Sequence, residues 1–185
     1  MHLHFRTLSV SLIALVATTL TSAAADSSKT VSLINGKDLS GWKFVGKGDS
    51  QWTYGKAAMN PDKPAKLMIV GPGEELISTN KTVNLSSEAV FGDCHVELEF
   101  MVGKATPGTE IDSNSGIKLM NIYEVQIFGS YGKTNPGTTD CGAIYRENAP
   151  LVNASKPPGE WQKLEIDFAP RALTRMARKP PMRNL

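Results

Sequence analysis

The sequence is poor in the residues that most metal and redox sites use. It has two cysteines, Cys94 and Cys141, and three histidines, of which His2 and His4 stand at the extreme N-terminus. Two cysteines cannot by themselves build a structural zinc site. There is no G-x-S-x-G elbow, no glycine-rich phosphate loop and no H-E-x-x-H pair, so serine-hydrolase, nucleotide and zinc-protease signatures are absent. Beyond the first 25 residues no apolar run is long enough for a transmembrane helix. Acidic residues are missing from Arg171–Leu185, which carries five basic ones. That tail accounts for the overall net charge of +2; residues 26–170 hold 14 basic against 18 acidic residues, a net −4. A mildly acidic body gives no electrostatic support for nucleic-acid binding.

The first 25 residues have the form of a secretory leader. Arg6 supplies a positive start, Leu8–Leu20 an apolar stretch, and Ala23–Ala25 small residues for cleavage. The expectation is an exported protein, periplasmic or extracellular, whose mature form begins near Asp26 and has no membrane association after cleavage. A retained N-terminal anchor is the alternative. Export permits one disulfide between Cys94 and Cys141, and two unpaired buried thiols are the other possibility.

From residue 31 onward the chain reads as short strands separated by turn residues, with no helical periodicity. Strands are expected at 31–34, 50–59, 66–70, 75–79, 92–102, 114–120, 123–127, 141–146 and 160–168, with a turn at Asn35-Gly36 and a break at Gly71-Pro72-Gly73. This spacing predicts one all-β domain, a β-sandwich or jelly roll.

Three stretches place unusual polar residues at alternate positions. His95, Glu97 and Glu99 alternate with Val96, Leu98 and Phe100; Asn114 and Lys118 lie on a second stretch; Glu124 and Gln126 alternate with Tyr123, Val125 and Ile127 on a third. If these strands are neighbours, their polar faces merge into a patch of carboxylates, amides and a lysine, a chemistry suited to sugar hydroxyls. A solvated sheet face explains the same alternation, so both readings stand.

Seven stretches occur in a fixed order: SLINGKDLSGW at 32–42, ELISTNKT at 75–82, GDCHVELEFMV at 92–102, NSGI at 114–117, YEVQI at 123–127, CGAIY at 141–145 and ASKPPGEWQKLEIDF at 154–168. Together they resemble the 3-keto-disaccharide hydrolase domain family. The resemblance implies a concanavalin A-like jelly-roll β-sandwich over residues 26–168, a carbohydrate partner and cleavage of glycosides oxidised at sugar carbon 3. No cofactor or metal is implied. By position Glu124 becomes the catalytic base, with Gln126, Asn114, Glu97, Glu99 and Lys118 as substrate-binding residues. A noncatalytic carbohydrate-binding module on the same sandwich is the alternative.

The resemblance ends at Phe168, and residues 169–185 form a basic tail without alternation. Read in a neighbouring frame, one back-translation of Ala172–Arg183 resembles the segment that family members carry at this point. A one-base frameshift that removes the last strands of the domain is the expectation, and an inactive remnant is then a third reading.

Overall fold

The computed structural model describes residues 3–6, 10–13, 29–48, 52–78, 83–108 and 113–169. The basic tail from residue 170, the small residues at 23–25 and the expected strand end at Thr79 lie outside the described residues. Every regular element among the described residues is a strand, and none is a helix that could cross a membrane. In chain order they are β1 Leu3–Arg6, β2 Val10–Ile13, β3 Trp42–Val45, β4 Trp52–Met59, β5 Leu67–Ser78, β6 Asn84–Ser87, β7 Cys94–Val102, β8 Asn114–Leu119, β9 Tyr123–Phe128 and β10 Gln162–Phe168.

The strands form two five-stranded sheets, ordered β3-β6-β1-β8-β9 and β10-β7-β2-β5-β4. Each named pairing is antiparallel. One apolar cluster joins them: Trp42, Leu85, Ile117, Leu119, Val125 and Ile127 from the first sheet meet Trp52, Leu76, Leu98, Phe100 and Val102 from the second. The protein is therefore an all-β sandwich. Burial of these side chains, each worth about 1.5–3 kcal/mol when complete, is what holds the layers together. The two tryptophans also satisfy their indole donors, Trp42 on the Leu33 carbonyl and Trp52 on the Val83 carbonyl.

Several elements differ from the sequence expectation. Residues 31–34 make no ladder; Leu33 and Ile34 pack on the core from an irregular segment. The expected strands at 66–70 and 75–79 are one strand, β5. Its Gly71-Pro72-Gly73 does not end it, because the extra residues are absorbed where the β4 register jumps between Gly55 and Lys56. A Cβ at Gly73 would come within 2.6 Å of the Gly55 carbonyl, so only glycine allows this approach. β6, in a stretch where the sequence pattern places no strand, is a strand with Leu85 and Ser87 fully buried. Residues 141–146 are not a strand but a turn-rich segment whose Ile144 makes two isolated bridges, to Val125 and to Asn148.

Residues 3–6 and 10–13, within the stretch that reads as a leader, stand inside the sheets. β1 lies between β6 and β8, and β2 lies between β5 and β7.

Candidate functional site

β8 and β9 form a hairpin whose turn places Met120 and Asn121 at positive φ, with the Ile122 amide donating to the Leu119 carbonyl. In its register Lys118 stands opposite Glu124 and Gly116 opposite Gln126. These residues and Asn114 share one face, while Ile117, Leu119, Val125 and Ile127 take the core face. The parity read from the sequence for Glu124 and Gln126 therefore holds, but the face is not a solvated one. Glu124 is 8 % exposed and Gln126 only 1 %.

Four features shape the Glu124 carboxylate and its surroundings. The Lys118 ammonium lies 3.9 Å from Glu124 Oε2. Gln126 Nε2 donates to Asn114 Oδ1 at 3.2 Å. Gln126 Oε1 is buried with no hydrogen-bond partner among the described residues, an exception to the usual pairing of buried polar atoms. The fourth is a space: a Cβ on Gly116 would lie 2.6 Å from Glu124 Oε1 and 2.7 Å from its Cγ. The carboxylate rests over bare backbone, and Gly116 is what makes the seat.

The outer edge of β9 is closed by the segment that follows it. The Gln126 amide donates to the Ala143 carbonyl, the Gly142 amide to the Gln126 carbonyl, and the Tyr145 amide to the Glu124 carbonyl, at 2.9, 2.8 and 2.8 Å. These bonds fix the backbone of both candidate residues from a side that the hairpin alone leaves open. The covering loop is itself tied by Asp140, whose carboxylate accepts from Ser130 Oγ, Lys133 Nζ and the Gly137 amide. Asn153 Nδ2 adds bonds to the Ser130 and Lys133 carbonyls.

Burial pushes the Asp140 carboxyl upward, but the Lys133 ammonium and the Gly137 and Ser130 donors outweigh it and hold the group below its ordinary value. A lowered folded-state pKa contributes stability above about pH 4, the unfolded carboxylate value, and loses it as pH falls through the lower folded value. Asp140→Asn keeps the shape and removes the charge. It is expected to cost about 1–3 kcal/mol near neutral pH and to flatten the acid limb of a urea-midpoint titration between about pH 5 and 2.

Glu97 and Glu99 do not join this patch. β7 belongs to the other sheet, and with Leu98 and Phe100 in the core these two carboxylates lie on that sheet's outer face. There Lys163 bridges Glu97 and Glu165, each at 2.5 Å, and His95 meets Asp167 at 2.7 Å. This is a cross-strand charge ladder on a wet face, where such pairs contribute little. The assumption that failed was adjacency: alternation identifies faces, but it does not say which strands are neighbours.

Cys94 and Cys141 are free thiols rather than a disulfide. Cys94 opens β7 in one sheet, whereas Cys141 sits in the segment along β9 of the other. Burial raises both thiols above their usual pKa, so neither is activated as a nucleophile. Among the described residues no group of three or more His, Cys, Asp or Glu side chains is placed to hold a metal ion.

Sequence reasoning missed Gly116 as a site residue and the 141–145 segment as the closing edge. The first had a signal, a glycine inside an alternating strand, which often marks a close approach.

Neither a curated protein nor a solved structure matches the chain. A family model does, over residues 29–176, which contains the whole hairpin and its covering loop and extends eight residues past Phe168. Its description names a carbohydrate substrate class, and the chain belongs to the 3-keto-alpha-glucoside-1,2-lyase-like domain family.

Proposed function

We propose that the chain is an exported enzyme that cleaves 3-keto-glycosides, first by elimination across sugar carbons 1 and 2 and then by addition of water. The observation that carries this reading is the Glu124 carboxylate, held in a buried seat over Gly116 with an ammonium 3.9 Å away. A ketone at carbon 3 acidifies the proton on carbon 2. Glu124 takes that proton, and the electron pair passes into an enolate. The enolate returns the pair, the bond from carbon 1 to the aglycone oxygen breaks, and the aglycone leaves as an alcohol after protonation. Water then adds at carbon 1 while carbon 2 regains a proton, which completes net hydrolysis.

The neighbours fit this sequence of charges. Lys118 is a cation beside the base and favours the enolate oxygen as it gains charge. The Gln126 amide, steadied by Asn114, presents Oε1 to a sugar hydroxyl. General-base transfer of this kind contributes about 10²- to 10⁴-fold, and the anion stabilisation adds to it.

The test is the full chain incubated with a 3-keto-α-glucoside bearing a chromogenic aglycone, beside the same glucoside with its carbon 3 hydroxyl intact. Aglycone release from the ketone alone is the expected result. Saturable binding of either sugar without release would replace the enzyme by a carbohydrate-binding module.

A further inference from the structure

The centre of each sheet is filled by the chain's own N-terminus. Phe5 stands opposite Leu85 on one side and Ile117 on the other, both 0 % exposed. Leu12 stands opposite Leu76 and Phe100, two of the most buried residues of the core. Both inserted strands run antiparallel to both neighbours. No ladder joins β6 to β8 or β5 to β7 directly. Take the inserts away, and each sheet becomes two separate strand pairs with facing rows of unpaired N–H and C=O groups. Isolated two-stranded pairs are marginal in water. The same residues lie in the stretch whose charge, apolar run and small-residue step read as an export leader.

We propose that residues 3–6 and 10–13 are strand donors acting in cis, and that the places they fill are strand-acceptor slots. An exported copy that has lost residues 1–25 starts with both slots open. The consequence reaches the candidate site, because β1 is the ladder partner of β8: Arg6 pairs with Gly116 and His4 with Lys118. The inference does not depend on the sugar chemistry.

The experiment uses the full chain with a specific protease sequence inserted after residue 20, folded first and then cut. The freed N-terminal peptide is expected to co-elute with the body, and the backbone amides of Leu85, Ile117, Leu76 and Phe100 to stay protected from hydrogen exchange. Stripping the peptide in mild denaturant should accelerate their exchange by at least about 100-fold, the behaviour of a local opening. A synthetic peptide of residues 1–16 should restore protection. The same peptide with Phe5→Pro and Leu12→Pro should not, since proline cannot donate to a central ladder. Protection unchanged after the peptide has gone would overturn the proposal. So would protection retained with a doubled mass, which would make a second copy the donor.

Discussion

Glu124→Gln is expected to reduce release of the aglycone from a 3-keto-glucoside by about 10²- to 10⁴-fold, the range removed with a general base. The amide has nearly the shape of the carboxylate, so it fits the seat over Gly116 and keeps the buried volume filled. What it loses is the capacity to accept a proton and the 3.9 Å pairing with Lys118. The thermal midpoint should therefore move by a few degrees at most, whereas kcat collapses. Glu124→Asp retains the base but withdraws it by one methylene. Its rate should fall between those of the parent and the amide, with the same substrate dependence. Retention of a third or more of parental turnover by the Gln variant would remove Glu124 from the mechanism.

Gly116→Ala should show the same separation from the opposite direction, with the base untouched and its position changed. The added methyl lies 2.6 Å from Glu124 Oε1 and 2.7 Å from its Cγ, so the side chain must move. The clash reaches the Cγ as well as the carboxylate of a buried side chain, so the stability cost should be that of overpacking, about 1–3 kcal/mol. A displaced base is a different matter for rate, because a shift of about 1 Å can lower turnover about 100-fold. The expected signature is a fall in kcat with KM within a few-fold of parental. A loss of folding matched to the loss of rate would instead make Gly116 purely structural.

How much of this was legible in the chain depends on the kind of signal. Alternation placed β7 and β10 and assigned Leu98 and Phe100 to the core, because period-2 patterning and burial are one fact in a sandwich. It also separated Glu124 and Gln126 from Val125 and Ile127. It could not show that Gln126 is as buried as Ile127, because period-2 patterning assigns residues to faces and does not say what lies over a face. β6 escaped because Asn84-Leu-Ser-Ser87 has one apolar residue; its serines are buried between β3 and β1 rather than exposed. The reverse holds at 141–146, where CGAIYR looks extended but makes only scattered bonds, to β9, to Thr138 and to Asn148. Glu97 and Glu99 group with Glu124 only if sequence order makes their strands neighbours, and the strands are divided between two interleaved sheets instead.

The resemblance and the geometry meet at one carboxylate. The family match covers the hairpin, and the hairpin holds Glu124 buried beside a cation and an amide. In the function proposed above, that arrangement serves proton abstraction rather than attack by a nucleophile. Nothing in it resembles the paired carboxylates of ordinary glycoside hydrolysis, since Glu97 and Glu99 lie on the other sheet.

The central claim is that this chain breaks the carbon 2–hydrogen bond of a 3-keto sugar with Glu124. It is tested most directly in heavy water, by following deuterium at carbon 2 of the unreacted substrate and of the hydrated product by NMR. The account expects deuterium at carbon 2 of the product with the parent chain, and no enzyme-dependent label with Glu124→Gln. Aglycone release in which carbon 2 keeps its original proton throughout would contradict it.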